Sequence, residues 1–421
     1  MPHPTQNIQN TQDTQKTLKT LTLIWPLILG MLMIMVGFGL QGTLLALRAE
    51  LDGFLITAIG VIMSLYYCGY LAGWFVIPRM INSVGHIRVF ASFASMASTT
   101  ILIQGLFVYP YIWAIIRLIS GFCFVGLFIV AESWLNNTAP NKLRGQITSI
   151  YISVVNGGIF TGQFLINLGS VQSIGLFALI SILISLSLLP VTLANKPTPG
   201  YKEIENLPFK KLIAKSPLAV LCVFCCGFVN AGMLTMGPVF ASKLGLTIPK
   251  ISLLMALFVL GCATMPLING WLSDRIDRRK VIVGVSTIGL IAASLITAIP
   301  ALIFICAYFV GGSATSIYSI GSAMMNDRLK PSQMTSATAT LILISGIGSC
   351  ISPVALGFTM ENFGITAFFM IFAAIFALNT VFGLYRNFTG PEIIVEQQGD
   401  YHNLPYRSTH GIGALTEPDR D

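Results

Sequence analysis

Charge is what this sequence has least of. Asp, Glu, Lys and Arg make up 10% of its 421 residues, where a soluble chain carries about 25%. That scarcity excludes an ordinary array of soluble domains, although the length alone would allow two or three of about 150 residues each. Only 4 histidines occur (His3, His86, His402 and His410), all read as lying outside the apolar segments, which leaves none there for a metal or for catalysis. No Gly-x-x-x-x-Gly-Lys-Ser/Thr run is present, so the chain has no visible ATP site. The 8 cysteines all fall in apolar runs, which excludes a secreted disulfide framework. Cys222, Cys225 and Cys226 have a metal-like spacing, but without His or acidic neighbours they read as buried hydrophobes. The N-terminus lacks the basic region, short apolar core and cleavage site of a signal peptide.

Apolar residues are what the chain has most of, at 54%. Twelve membrane spans of ~20 residues would use about 240 positions, close to that share of the chain. The first half offers Leu21 to Leu47, Phe54 to Ile77, Val89 to Val108, Ile112 to Leu135, Ile147 to Leu168 and Ile174 to Leu193. The second offers Pro217 to Phe240, Ile251 to Leu272, Val281 to Ala298, Ala301 to Met325, Thr335 to Met360 and Ile365 to Tyr385. Each can cross a ~30 Å hydrocarbon core, and none alternates in the ~10-residue segments of a β-barrel. The prediction is an all-α membrane protein of twelve transmembrane helices in two six-helix bundles, 21–193 and 217–385. A disordered tail (1–20), a Pro- and Lys-rich linker (194–216) and a polar C-terminal tail (386–421) complete it.

Lys and Arg exceed Asp and Glu by 24 to 16, an excess that a charge-poor apolar chain places in its cytoplasmic loops rather than on nucleic acid. With the N-terminus inside, only Arg48, Lys243 and Lys250 fall on the outer side and Arg117 within the bilayer. All other lysines and arginines are cytoplasmic. Both termini are therefore expected inside, in a multi-pass protein of the cytoplasmic (inner) membrane.

The turn after the eighth segment, Gly270-Trp-Leu272-Ser-Asp274-Arg275-Ile-Asp277-Arg278-Arg279-Lys280, repeats the turn after the second, Pro78-Arg79-Met80-Ile-Asn82-Ser83-Val-Gly85-His86-Ile-Arg88, at a shift of 192 residues. Such a duplication is the plan of carriers that rock two bundles around a central site. The Gly270 to Lys280 run resembles the signature Gly-x-Leu-x-Asp-Arg-x-Gly-Arg-Arg/Lys of the major facilitator superfamily, with Asp277 where the family has Gly. Arg117-Leu-Ile-Ser-Gly121-Phe-Cys-Phe-Val-Gly126 is similar to its second signature. Glu132-Ser-Trp-Leu-Asn136 resembles a poorly characterised bacterial branch. The fifth segment, around Asn156, Gly157, Gly158 and Gly162, lacks the Gly-Pro element of the family's drug:proton antiporters.

Arg117 and Glu132 are the two charges inside predicted spans, and intramembrane charges are functional candidates by default. Fifteen residues apart, they are separated by ~22 Å along one helix, so each needs its own partner. Arg117 lies at nearly the level of Gln41 and Gln163. A guanidinium among amides suits a substrate carboxylate or phosphate; the competing reading is a brace to helix backbone. Glu132 is read as a proton carrier or, as the resemblance implies, a gate residue paired with Arg79 and Arg88. The resemblance also places the first, fourth, seventh and tenth helices around the cavity, favouring Asn230 and Tyr318. Asn156 and Tyr66, Tyr67 and Tyr70 are further polar groups near mid-membrane, each also able to serve as interhelical glue. Asn82, Asp274, Arg275 and Arg278, with Arg79 and Arg88, are the expected cytoplasmic gate. By resemblance Asp274 faces the start of the fifth span near Gln146 and Ile147.

The functional expectation is a secondary active transporter moving an anionic or zwitterionic small organic solute by alternating access, with protons as the coupling ion. Proton-driven efflux of amphiphilic compounds is the alternative, and a non-transporting sensor or scaffold is the reading from another class. Deleting the C-terminal tail separates that last reading from transport. No clustered acid, base and nucleophile supports an enzyme. A monomer in the lipid bilayer, without cofactor, metal or nucleic acid, is expected.

Overall fold

The structure, a computed structural model, describes residues 4–138, 143–193, 208–329 and 331–389. Among the described residues, twelve helices are long and apolar enough to cross a membrane: Ile24–Leu51, Ile56–Val84, His86–Leu106, Pro110–Asn136, Gly145–Leu168, Ile174–Thr192, Pro217–Lys243, Ile248–Ser273, Arg278–Ala298, Pro300–Asn326, Ser336–Phe363 and Ala367–Thr389. They are the predicted spans, lengthened at several ends.

Four boundaries differ from expectation. The first helix runs unbroken from Pro4 to Leu51, where residues up to 20 were expected to be a disordered tail. A helix already nucleated by an apolar span extends without a second nucleation cost. The second span continues to Val84, and the third begins directly at His86. Gly85 makes the whole turn with φ 86°, a conformation that costs glycine little because it has no Cβ. Arg79 and Asn82 are therefore on the last turns of a helix rather than in a loop, and His86 is inside a span and buried, not outside as read from sequence. Lastly, the linker ends in a short helix, Phe209–Lys215. Residues 194–207, and the C-terminal tail from 390, lie outside the described residues.

Glycines set the packing within each half. A Cβ at Gly69 would come within 1.9 Å of the Leu118 carbonyl oxygen, and one at Gly121 within 1.8 Å of that of Tyr66. The second and fourth spans thus touch backbone to backbone, as small residues permit in membrane helices. The second half repeats the arrangement: Gly261 lies against the Tyr308 carbonyl (2.0 Å) and Gly311 against that of Phe258 (2.4 Å).

The halves meet at the face opposite the linker, here the short-loop face. Glu50 accepts from Ser242 Oγ (2.8 Å) and pairs with Lys243 (3.1 Å). The Thr57 backbone N–H donates to Glu361 (2.7 Å). Ser252 Oγ donates to the Gln163 carbonyl (2.8 Å) and accepts from Asn167 Nδ2 (3.2 Å). Nearer the middle, Ser64 Oγ donates to the Cys350 carbonyl, and the Cys68 and Cys350 sulfurs lie 3.8 Å apart.

Candidate functional site

The close second–fourth span packing delivers Arg117 to its position. One turn before Gly121, its guanidinium sits over the Tyr66 ring, 4.5 Å from the centroid. Arg117 is 4% exposed, its Nε has no hydrogen-bond partner, and among the described residues no carboxylate forms an ion pair with it. A desolvated cation–π contact contributes on the order of 2 kcal/mol. Desolvating an ion costs several kcal/mol even after relaxation, so the contact alone leaves this charge under-compensated.

Gln41 and Gln163 share a cavity with Arg117, lined also by Phe38, Tyr66, Tyr67, Leu234 and Thr235. The two amides differ in what they are doing. Gln163 Oε1 accepts from Thr43 Oγ1 (2.6 Å) and its Nε2 donates to the Gly39 carbonyl (2.9 Å). Both ends are occupied, and the side chain braces the first span to the fifth. Gln41 is 1% exposed, and neither its Oε1 nor its Nε2 has a partner. A buried amide left unpaired costs about 1–3 kcal/mol, which marks it as a group awaiting one.

Other expected site residues are not brought here. Asn230 is engaged with its own neighbourhood, donating to the Cys226 carbonyl (3.0 Å) and accepting from Cys262 Sγ (3.4 Å). Tyr318 is fully buried on the tenth span, away from this cavity's lining, and Asn156 is half-buried and likewise absent from it. A second cavity lies next to the first, sharing Tyr66 and Tyr67 with it. It is lined by Tyr66, Tyr67, Tyr70 and Phe128 on one side and by Ala231, Ile342, Ser345, Gly346 and Ser349 on the other. Tyr66 and Tyr67, visible in the sequence as mid-membrane polar groups, line both, and Tyr70 lines the second.

Toward the linker face, Glu132 is 1% exposed and accepts from Tyr151 Oη at 3.4 Å. The expected pairing with Arg79 and Arg88 is not seen: both arginines are exposed, and no ion pair joins either to Glu132. The next residue, Ser133, is hydrogen-bonded to His86 Nε2 at 2.9 Å, both buried.

The basic turn of the second half is tied down by ion pairs within its own half. Arg278 is 1% exposed and bridges Asp327 (2.5 Å) and Asp274 (3.5 Å), which ties the start of the ninth span to the ends of the eighth and tenth. Arg275 stacks on Trp271 at 3.5 Å. Asp277, the departure from the family signature, caps the ninth span by accepting from the Arg279 N–H at 2.9 Å, as Asp does well at a helix start. Beside them, burial lowers the Arg328 pKa from its ordinary value, with Arg386 and Arg279 acting in the same direction. Arg328 donates to the Lys215 carbonyl at 2.8 Å, holding the short linker helix to this half.

The residues that close the short-loop face, Glu50, Lys243, Ser252 and Glu361, were not picked out from sequence. A signal existed: Glu50 and Ser242, which bond to each other, are separated by the repeat shift of 192.

Comparison with known proteins matches the family model "Major Facilitator Superfamily" to residues 27–249 and 219–400. The chain is 24% identical over 357 residues to "Uncharacterized MFS-type transporter YcaD" of Escherichia coli O6:K15:H31 (strain 536 / UPEC), covering 83% of this chain and 92% of that one. Among solved structures it resembles the nucleoside transporter NupG, with TM-score 0.73 at 13% identity over 88% of this chain and 100% of that one. A bacterial homolog of the human lysosomal transporter Spinster, in an inward-facing and unoccupied conformation, gives TM-score 0.73 at 13% identity over 90% and 98%.

Proposed function

Because this chain belongs to the major facilitator superfamily, we propose that it carries a small organic anion or zwitterion across the bacterial inner membrane by alternating access, with Arg117 and Gln41 gripping the anionic group. The observation that carries this reading is the pairing of a buried guanidinium lacking a carboxylate with a buried amide lacking any partner, in one cavity between the halves. An arriving carboxylate supplies acceptors to both, and the planar guanidinium can engage it bidentately. Gln163 and Asn230 serve as braces in this reading, and Asn156 and Tyr318 drop out of the binding set.

The linker face is the cytoplasmic one, by the distribution of Lys and Arg. The hydrogen bonds and ion pair at the short-loop face then belong to a state closed to the outside. In this orientation the exposed Arg79, Asn82 and Arg88 rim the side that closes in the other half of the cycle, with Asp274 opposite them. Proton coupling is assigned to Glu132. The support is its burial within the fourth span beside Tyr151, since an intramembrane carboxyl is a means of carrying a proton.

The test is a ligand-stabilisation screen of the purified protein, because a bound substrate raises the unfolding temperature by mass action. Organic acids or amino acids are expected to score in wild type and to fail in Arg117→Lys. A screen in which only cationic or uncharged amphiphiles score would instead support efflux.

A further inference from the structure

The cavity at Arg117 and the second one are neighbours, with Tyr66 and Tyr67 lining both. The walls of that second compartment are of two unlike kinds. On one side stand the rings of Tyr66, Tyr67 and Tyr70 with Phe128. On the other the eleventh span presents residues 342, 345, 346 and 349, whose spacing puts them on one helix face. Three of those four are Ser, Gly and Ser, so apart from Ile342 this span sets only small side chains against the rings. The hydroxyl of Ser349 is already engaged, donating to the Gly227 and Ser345 carbonyls at 3.1 and 3.0 Å. Charge recognition is thus confined to the Arg117 end, and the far end is mostly ring surface.

We infer that the substrate is an aromatic carboxylate, its carboxylate held by Arg117 and Gln41 and its ring lying in the compartment between Tyr70, Phe128 and Gly346. This rests on the anion reading of Arg117 given above. Aromatic walls favour an aromatic guest because rings attract one another in tilted and edge-to-face arrangements with centroids 4.5–7 Å apart. The wall is already built that way: Tyr66 and Tyr67 stand at 90° with centroids 5.2 Å apart, and Phe38 and Tyr66 lie 6.0 Å apart. A rigid planar guest extends that array while losing little internal freedom, whereas an alkyl chain of equal area must freeze several rotors.

The experiment titrates the purified full-length protein with three probes and follows the unfolding temperature: indole-3-acetate (ring and charge), hexanoate (charge without ring) and indole (ring without charge). Indole-3-acetate should bind at least tenfold more tightly than either of the others. That advantage should fall by about tenfold in Tyr70→Leu and survive in Tyr70→Phe, which keeps the ring and reports on whether the site still folds. Arg117→Lys should weaken both carboxylates and leave indole unchanged. Equal binding of hexanoate and indole-3-acetate, both sensitive to Arg117→Lys, overturns the aromatic inference and leaves the anion reading standing. Indole binding as well as indole-3-acetate, with neither sensitive to Arg117→Lys, overturns both readings, as does failure of both carboxylates to bind.

Discussion

Gly69 and Gly121 in the first half, and Gly261 and Gly311 in the second, hold equivalent helix pairs together at nearly the same distances. The side chains at repeat-related positions differ. At the repeat shift of 192, Gln41 corresponds to Met233, Tyr66 to Phe258 and Tyr70 to Cys262. At the shift of 190 that relates Gly121 to Gly311, Arg117 corresponds to Ala307. Duplication has kept the packing and left the polar chemistry on one side. The first half supplies donors and rings; the second supplies small and apolar surface against which they work. This suits a device whose halves must rock, since a grip made by one half travels with it as a unit.

The largest effect expected concerns what the halves share. Gly69→Leu and Gly261→Leu should each abolish folded protein, measured as the monodisperse yield after detergent extraction. Each drives a side chain into a carbonyl, and overpacking of even modest size costs about 1–3 kcal/mol. A clear difference between the two would show that the packing is not equivalent.

Next come substitutions that separate the halves. Gln41→Leu should weaken substrate at least tenfold, the loss of one charge-assisted hydrogen bond of about 1.5–3 kcal/mol, while Met233→Leu should leave affinity within twofold. Parallel binding titrations check this, and equal losses would make the cavity symmetric in function. Glu132→Gln should end accumulation against a gradient in proteoliposomes while exchange persists. Continued accumulation would remove the proton role from Glu132.

The smallest effect concerns the two basic turns. Asp274 holds Arg278 at 3.5 Å, while its repeat counterpart Asn82 carries no charge. Asp274→Asn should shift the balance of conformations by about fivefold, the equivalent of ~1 kcal/mol, and Asn82→Asp should shift it the other way. Cross-linking of the native Cys68 and Cys350, 3.8 Å apart across the halves, reads that balance. Equal cross-linking in wild type and both variants would exclude the turns as a lever.

The twelve spans were legible because length and apolarity decide a membrane helix with little help from tertiary context. The Gly85 turn was not, since a single residue at positive φ joins two helices whose apolar runs stop several residues short of it. Arg117, Gln41 and Gln163 were found together because depth along a helix follows from residue counting at 1.5 Å each. Which amide was occupied could not be read that way. Thr43, one turn from Gly39 on the first span, captures Gln163, and only the crossing of the first and fifth spans decides it. Arg278 shows the same limit: residue order placed it at the expected cytoplasmic gate, but its burial against Asp327 depends on the approach of the tenth span.

The asymmetry between the halves is tested most directly by isothermal titration of the carboxylate that best stabilises wild-type protein into four proteins: wild type, Arg117→Lys, Gln41→Leu and Met233→Leu. Affinity should drop at least tenfold in the two first-half variants and stay within twofold of wild type in Met233→Leu. Wild-type affinity in Arg117→Lys, or an equal loss in Met233→Leu, would contradict a grip made by the first half alone.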